Sequence, residues 1–337
     1  MTGSVVIGRN EGERLESCLR SIQRECLRIV YVDSGSSDGS VLLAKSMGVE
    51  IVELDPSHGL SMARARNAGW KKLLERWPEI THIQFIDGDC ELVQGWISKG
   101  EAFLESNPDF VVVCGRRRER FPSRSIFNWL CDIEWNTPIG AAKSCGGEAL
   151  IRRSALEQVG GYEETLIAGE EPEMCQRMRL LGWKIQRLDG EMSVHDANIL
   201  HWSQWWKRCI RTGYGAANLV FRGSPSTAKE GFPFQHLVES AIQWVTIWIT
   251  GLSIACFWLL VGWKVTGSLI LCGVVALSLL QSLRIARTVV ERAGGSAKAF
   301  VYGIFMMLAK VPEFLGIWKF HNDFNERRHP QLIEYKS

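Results

Sequence analysis

The sequence lacks three features that would assign it to a broad class. None of its ten cysteines forms a CxxC pair, which argues against a zinc site or a disulfide framework, and reduced cysteines place the soluble part in the cytosol. It has no large excess of one charge, with 39 basic and 37 acidic residues, whereas nucleic-acid-binding proteins usually carry a strong basic excess. It also lacks a charged N-terminal region followed by a long apolar stretch, so we expect no secretory signal peptide.

Charge is nearly absent from one long segment of the chain. Between Ser240 and Leu283 the only charged residue is Lys264, and the apolar runs Ala241–Gly262 and Val265–Leu283 lie on either side of it. Each run approaches the roughly 20 residues that cross a bilayer as a helix. A hairpin buried in a soluble protein is the alternative, but soluble helices usually keep a polar face and these runs do not. The segment therefore predicts a transmembrane helical hairpin.

Basic residues flank this hairpin on both sides. They are Lys207, Arg208, Arg211, Arg222, Lys229, Arg284, Arg287, Arg292 and Lys298. The positive-inside rule then places both ends of the hairpin in the cytoplasm. A third apolar stretch, Ala299–Ala309, is short and is followed by Lys310, Pro312 and Glu313. It predicts an interfacial or re-entrant segment, and with it an even number of crossings.

The first 120 or so residues alternate two patterns. Short β-branched runs predict strands at Ser4–Ile7, Ile29–Val32, Glu50–Leu54, Ile83–Ile86 and Phe110–Cys114. Helical patterns lie between them, at Glu11–Glu25, Ser40–Met47, Met62–Trp77 and Trp96–Ser106. This alternation predicts βαβ units and a mostly parallel sheet. Ligands of such sheets bind outside the carboxyl ends of the strands.

Three polar clusters follow predicted strands. They are Arg9-Asn10-Glu11, the stretch VDSGSSDGS (residues 32–40) and Asp87-Gly88-Asp89. Each alone is also a good turn or helix-cap sequence. Together they would gather several carboxylates in one crevice: Glu11, Asp33, Asp38, Asp87 and Asp89. Such a group is stable only with a cation or a hydrogen-bonding ligand, and oxygen ligands suit Mg²⁺ or Mn²⁺ with substrate phosphates.

A basic helix follows in the segment GLSMARARNAG, residues 59–69. Arg64 and Asn67 are three residues apart and share one face of the predicted helix. We expect these two side chains either to meet the base or diphosphate of a nucleotide, or to form part of a solvated basic face.

Four segments, in this order and spacing, resemble the family 2 glycosyltransferases of the GT-A fold, in their membrane-anchored bacterial type. They are SVVIGRNEGERLESCLRSI, VYVDSGSSDGSVLLAKSMGVEIVELD, SMARARNAG and FIDGDCEL, and the resemblance covers about residues 3–210. It implies sugar transfer from a nucleotide donor, often with inversion. It assigns Glu11 and Asp33 to the base and ribose of the donor, and Asp87 and Asp89 to a metal-binding DxD pair with Asp89 as the direct ligand. A divalent ion there would neutralise charge on the departing nucleotide.

The resemblance extends to the acceptor side. Gly146 and Gly147 match a glycine segment that permits close backbone approach. The stretch GEEPEMCQRMRLLGW (residues 169–183) resembles the family's Gly-Glu-Asp helix start, with Arg177 in the helix. Its second acidic position acts as general base in the family and is Glu171 here, with Glu170 as the alternative. Acids in a first helical turn also have a purely structural explanation. His195 resembles a third metal or diphosphate ligand.

Two further clusters have open roles. Five arginines follow the fifth predicted strand, Arg116, Arg117, Arg118, Arg120 and Arg124. They predict either a pocket for an anionic acceptor or lipid head group, or a solvated loop. Trp202, Trp205 and Trp206 predict a membrane-interface belt or a sugar-stacking surface.

The sequence therefore predicts a chain of four parts. A GT-A glycosyltransferase domain, α/β and Rossmann-like, spans residues 1–210, followed by a juxtamembrane linker at 211–236. A transmembrane hairpin spans 237–284, and an interfacial or re-entrant helix with a cytoplasmic tail spans 285–337.

The predicted function is transfer of a sugar from a nucleotide sugar to a lipid-linked or glycan acceptor at the cytoplasmic face of the inner membrane. The reaction would use Mg²⁺ or Mn²⁺, invert the anomeric centre and be non-processive, with no nucleic-acid partner. A polyprenyl-phosphate glycosyltransferase is the alternative in this class. A nucleotidyltransferase would need a glycine- and lysine-rich phosphate loop where this chain has Gly8-Arg9-Asn10-Glu11-Gly12. A non-catalytic sugar-nucleotide sensor would not need Glu170 and Glu171.

Overall fold

The structure is a computed structural model that describes residues 1–222, 234–328 and 333–334. Its described part divides into two compact units, one of residues 1–200 and one of residues 201–222 and 234–328. The predicted boundary at residue 210 lies inside the helix Trp202–Arg222, so the four-part division stays a prediction. Lys229 and much of the predicted linker lie outside the described residues.

The first unit alternates strands and helices, as the sequence predicts. Its strands are β1 Thr2–Gly8, β2 Ile29–Asp33, β3 Glu50–Glu53, β4 His82–Asp87, β5 Cys90–Leu92, β6 Phe110–Glu119, β7 Gly140–Ala142, β8 Ala149–Arg152 and β9 Lys184–His195. Its α-helices are α1 Glu13–Gln23, α2 Ser40–Ser46, α3 Met62–Arg76, α4 Trp96–Ser106, α5 Ile126–Trp135, α6 Arg153–Gln158 and α7 Glu170–Leu180.

These strands form one sheet in the order β3-β2-β1-β4-β8-β6-β9-β5, with β7 paired to β9. Strands β1 to β4 are parallel, whereas β8 runs antiparallel between β4 and β6. The sheet is therefore mixed rather than mostly parallel. Local pattern did not reveal β8, which spans four residues and leads directly into α6.

The register of β1 brings two predicted site residues to one edge. Gly8 pairs with Asp33 of β2, and Ile7 pairs with Asp87 of β4. Since these strands are parallel, Asp33 and Asp87 lie at their carboxyl ends on either side of β1. This is the edge at which open α/β sheets bind ligands.

Helix α1 packs on the sheet through buried residues at helical spacing, Leu15, Cys18, Leu19 and Ile22. It begins at Glu13, two residues later than predicted. Asn10 (φ 56°) and Gly12 (φ 53°) adopt left-handed backbone conformations, which end the polar loop and delay the helix.

The second unit is helical in its described part. It comprises α8 Trp202–Arg222, α9 Gln235–Leu260, α10 Lys264–Arg287, α11 Val290–Ala293, α12 Ser296–Leu308 and α13 Lys310–Asn325. Three segments are long and apolar enough to cross a membrane: α9, α10 and the combined stretch Ser296–Asn325. The first two match the predicted hairpin.

The third segment is longer than the predicted apolar stretch Ala299–Ala309, and its placement as interfacial or re-entrant stays a prediction. Pro312 is the third residue of α13, where its missing N–H needs no helical partner. Lys310 Nζ and Glu313 Oε2 are 2.8 Å apart and both side chains are largely buried, so neither charge ends the helix.

Small residues and aromatic rings pack the helices of this unit. A Cβ on Gly213 of α8 would overlap the backbone of Glu313, and one on Gly316 would overlap the carbonyl oxygen of Ile210. Such close approach is common between membrane helices. Trp205 is buried, with its ring centroid 5.5 Å from that of Phe305.

Candidate active site

The DGD turn sends its two carboxylates to different partners. Strand β4 ends at Asp87, the Gly88 N–H donates to the Ile7 carbonyl oxygen at 2.8 Å, and β5 begins at Cys90. The Asp87 side chain is 23% exposed, whereas Asp89 is buried. A Cβ on Gly88 would lie 3.2 Å from the Ile7 oxygen, so the close turn favours glycine there.

Asp87 lies on a buried arginine that the sequence prediction missed. Arg66 of α3 is 1% exposed, and its Nη2 donates to Asp87 Oδ1 at 3.0 Å. Its Nη1 lies 2.7 Å from Glu170 Oε1 and 3.0 Å from Glu171 Oε1. One guanidinium therefore joins the end of β4 to the start of α7.

A sequence signal for Arg66 did exist. Along α3 the residues Ala63, Arg66, Trp70 and Leu73 are buried and follow the i, i+3, i+7, i+10 spacing of a core-facing stripe. An arginine inside such a stripe needs buried acids as partners.

The acidic pair at the start of α7 holds two different carboxyls. Glu170 is fully buried, and the Glu171 side chain is 12% exposed. Burial and the neighbouring Glu170 raise the pKa of Glu171 to about 7, although Arg66 acts in the opposite direction. A carboxyl that titrates near neutral pH suits general-base chemistry, which favours Glu171 over Glu170.

Asp89 meets His195, the last residue of β9. Asp89 Oδ2 and His195 Nε2 are 3.2 Å apart and both residues are buried. The other ring nitrogen, Nδ1, is buried and has no hydrogen-bond partner among the residues that the structure describes. Asp89, His195 and Cys90 form a possible metal-ion cluster, with ligand atoms within 4.8 Å of one another. The carboxylate and imidazole of this cluster fit a divalent ion such as Mn²⁺.

Cys90 fits that ion poorly. Burial, Glu148 and Asp89 raise the pKa of its thiol well above the usual value, and metals bind the thiolate form of cysteine. Its Sγ instead donates to Glu148 Oε1 at 3.2 Å.

Arg117 and Glu148 form an ion pair next to Asp87. Glu148 had no predicted role. Arg117 donates to Glu148 through both Nε and Nη2, and its Nη2 is 3.9 Å from Asp87 Oδ2. Trp135 contacts both Arg117 and His195. Its ring centroid is 5.1 Å from the Arg117 guanidinium and 4.6 Å from the His195 ring centroid. Asp87 and His195 are thus held through one connected set of contacts.

The arginine cluster lies only partly in a loop, and its role as an anion pocket stays a prediction. Arg116, Arg117 and Arg118 belong to β6, and four of the five arginines form ion pairs. Their partners are Asp132, Glu148, Glu191 and Glu91 for Arg116, Arg117, Arg118 and Arg120 respectively.

The first two polar loops are joined to each other. Asp38 accepts hydrogen bonds from the N–H groups of Gly12 and Ser40, at 2.9 and 3.0 Å. Burial acts to raise the pKa of Asp38, but these bonds and the Ser40 hydroxyl outweigh it and lower the pKa. Glu11 lies beside the site, with its Cγ 3.2 Å from a Cβ built on Gly88, and pairs with Arg14 at 2.9 Å.

Asp33 organises the second loop. Its carboxylate accepts from the backbone N–H groups of Gly35 and Ser36, at 2.9 and 2.7 Å, and from the Tyr31 hydroxyl at 2.9 Å. The contacts of Asp33 and Glu11 with a nucleotide stay a prediction that the family resemblance implies.

Arg64 and Asn67 face different partners. Arg64 Nη1 donates to the carbonyl oxygens of Asp55 and Gly59, at 2.8 and 2.6 Å. The Asn67 amide makes four hydrogen bonds. Its Nδ2 donates to the Tyr162 carbonyl oxygen and to Glu164, and its Oδ1 accepts from the Tyr162 N–H and from Trp70 Nε1. These four bonds fill the hydrogen-bonding capacity of an amide. A nucleotide could therefore bond to Asn67 only by replacing one of them.

Of the residues predicted to contact the acceptor, Gly147 lies at the site, whereas Arg177 binds other parts of the chain. A Cβ on Gly147 would lie 2.8 Å from Arg66 Nη2 and 2.9 Å from Asp87 Oδ2, so this glycine backs directly onto the site, and Gly146 lies next to it. Arg177 instead donates to Glu173 and to the Gly161 carbonyl oxygen at 2.7 Å. That arrangement ties α7 to the preceding loop, and contact of Arg177 with an acceptor stays a prediction.

Comparison with known proteins identifies this arrangement. Residues 5–160 match the family described as Glycosyl transferase family 2. This part of the chain is a family 2 glycosyltransferase domain. The matched range contains Asp33, Arg66 and the DGD turn, whereas Glu171 and His195 follow it.

Curated relatives agree with the assignment. The chain is 25% identical over 261 residues to the O-antigen chain rhamnosyltransferase RfbN of Salmonella typhimurium, covering 70% of this chain and 81% of that one. It is 24% identical over 221 residues to the glycosyltransferase AglE of Haloferax volcanii, covering 61% and 69%. The protein carrying this family 2 glycosyltransferase domain is thus a nucleotide-sugar-dependent glycosyltransferase.

A solved structure shows the same fold. The mannosyltransferase PcManGT of Pyrobaculum calidifontis, in complex with GDP-Man and Mn²⁺, matches with a TM-score of 0.60 at 16% identity. The match covers 94% of this chain and 86% of that one. The family 2 glycosyltransferase domain therefore has the GT-A fold.

Proposed function

We propose that this glycosyltransferase moves a sugar from a nucleotide donor to a lipid-linked or glycan acceptor in a single inverting displacement. One observation carries the proposal: Arg66 joins Asp87, on the donor-side DGD turn, to Glu170 and Glu171 at the start of α7. Asp87 on the proposed donor side and Glu171, the candidate base, therefore contact the same arginine side chain.

Glu171 would act as the base. Its carboxylate takes the proton of the acceptor hydroxyl as that oxygen attacks the anomeric carbon. Arg66 holds this carboxylate beside Glu170, and Gly147 lets the backbone pack closely against Arg66 and Asp87, where a Cβ would lie within 3 Å of both side chains.

The donor diphosphate would lie at the carboxyl edge, with Asp89 and His195 holding a divalent ion. When bound, Mn²⁺ or Mg²⁺ stabilises negative charge on the departing nucleotide. Asp87 is a weaker candidate ligand, because Arg66 already binds one of its oxygens and Arg117 lies near the other.

The relatives suggest donors to test. The names of the similar proteins refer to rhamnose transfer onto an O-antigen chain and to a complex with GDP-Man. The three candidate membrane spans support an acceptor that is itself held at a membrane, with catalysis on the cytoplasmic side of the inner membrane.

The test is nucleotide release by the detergent-purified full chain. Candidate donors are GDP-mannose, a nucleotide-activated rhamnose and several UDP-sugars, each with Mn²⁺, Mg²⁺ or EDTA. We expect metal-dependent release from one donor, lost in Asp89→Ala and kept in Asp109→Ala, whose side chain is 70% exposed. Calorimetry with the same donors covers slow hydrolysis in the absence of acceptor. Absence of metal-dependent binding for every donor would refute the proposal.

A further inference from the structure

Arg187 of β9 is a buried arginine without an acidic partner among the described residues. It is 3% exposed, and its one hydrogen bond runs from Nη1 to the Leu188 carbonyl oxygen at 3.2 Å. Its Nε is buried and has no hydrogen-bond partner.

Arg66 shows what a buried guanidinium in this protein otherwise has. Arg66 is equally buried and binds three carboxylates. An unpaired buried cation destabilises a fold, because desolvation of the charge is left uncompensated. The unused N–H groups of the buried Arg187 side chain therefore indicate an anion that is not part of the chain.

The register of the sheet places Arg187 next to β6, the strand that carries Arg117. Arg187 pairs with Cys114 of β6, three residues before Arg117, which approaches Asp87. On its other side it pairs with Gly140 of β7, where an added Cβ would meet no atom within 4 Å. Open space therefore lies beside the backbone of Gly140, on the strand next to Arg187.

Arg116 adds a second positive charge to this region. Its side chain is 14% exposed and pairs with Asp132 at 2.8 Å. Burial and the charge of Arg187 lower the pKa of Arg116, although Asp132 acts against them. The described residues give Arg116 one acidic partner, Asp132, and give Arg187 none, so the two guanidinium groups together leave a net positive charge.

We propose that Arg187, assisted by Arg116, binds a phosphate group of the acceptor. Planar guanidinium groups bind phosphate through paired hydrogen bonds. This inference rests on the proposed function, because it names the chemical class of the acceptor: a phosphorylated or diphosphate-linked molecule whose hydroxyl reaches Glu171.

The probes are inorganic pyrophosphate and farnesyl diphosphate, titrated into the detergent-purified full chain in EDTA and followed by calorimetry and thermal denaturation. We expect saturable binding that raises Tm, with Kd at least tenfold higher in Arg187→Met. Arg118→Met is the matched control, since Arg118 lies on the same strand with a side chain that is 54% exposed, and should bind like wild type. Tighter binding of farnesyl diphosphate would identify a lipid-linked source, and equal binding a source without lipid.

Without probe, Arg187→Met should melt at a higher temperature than wild type, because it removes an unpaired buried charge. A lower Tm together with unchanged pyrophosphate affinity would overturn the proposal. If Arg187→Met does not fold, Arg187→Lys keeps the charge but not the planar fork, and its Kd should rise severalfold; an unchanged Kd would refute the site. Asp89→Ala should retain pyrophosphate binding in EDTA, so failure of the donor assay and failure of this site are separate results.

Discussion

Glu171 is the residue whose ionisation should govern the rate. Its pKa of about 7 means that the carboxylate form increases as pH rises through neutrality. We expect kcat/KM to climb between about pH 6 and 8 and then level off, as measured by nucleotide release with donor and acceptor present. Glu171→Gln should lower kcat by about 10²- to 10⁴-fold, the usual contribution of a general base, while donor affinity is kept.

Glu170→Gln provides the matched comparison, since it alters the adjacent carboxyl on the same arginine. We expect a smaller loss of kcat and an intact rise with pH. If Glu170→Gln abolishes the rise and Glu171→Gln does not, the two roles are reversed.

Arg66→Met should have two measurable effects. Because Arg66 lowers the pKa of Glu171, its removal should move the rise in kcat/KM to higher pH. It also leaves buried carboxylates without their cation, which destabilises proteins by about 3–5 kcal/mol and should lower Tm. Lys71→Met, an exposed position on the same helix, is the control for both. An unshifted pH profile in a folded Arg66→Met protein would contradict the assignment.

Sequence reasoning located the residues of the site better than it located their partners. Asp87, Asp89 and Glu171 stand in short local motifs next to predictable strand or helix ends. The contacts of Arg66 with Glu170 and of Arg117 with Glu148 span 104 and 31 residues. No local spacing encodes such pairs, because only the folded sheet brings them together.

At the scale of elements, the contact between α8 and α13 depends on two glycines. Gly316→Ala places a methyl group against the Ile210 carbonyl oxygen and the Tyr214 nitrogen, so it should lower Tm although alanine favours helix. Gly273→Ala in α10 meets no atom within 4 Å and should leave Tm equal or slightly higher. Equal behaviour of the two variants in thermal denaturation would show that this packing is not tight.

The elements themselves were predictable where hydrophobic pattern was strong. Strands β1 to β4 and β6 each contain a short apolar, β-branched run, and all five were predicted, although β6 continues to Glu119, beyond the predicted end at Cys114. The missed β5 and β7 span three residues each, and β9 contains Asp189, Gly190 and Glu191 in its middle. Pairing in the sheet, rather than intrinsic propensity, makes these segments strands.

For the whole molecule, we expect recovery in the membrane fraction after alkaline carbonate treatment and release by detergent. Val275→Arg places a charge near the middle of α10, on a side chain that is 57% exposed, and should cost about 2.5–3.5 kcal/mol of insertion free energy. Leu42→Arg, at a 72% exposed position of α2, should not change membrane recovery. Equal loss from the membrane fraction in both variants, or in neither, would argue against a spanning α10.

The single guanidinium of Arg66 contacts two parts of the proposed active site, the DGD turn and the start of α7. A chain with this arrangement cannot drift freely at Asp87, Glu170 or Glu171, since loss of any one carboxylate unbalances the charge felt by the other two. Its descendants should therefore replace these four positions as a set, or keep them together while the acceptor changes. We therefore expect these four positions to change together, while residues that contact the acceptor vary independently.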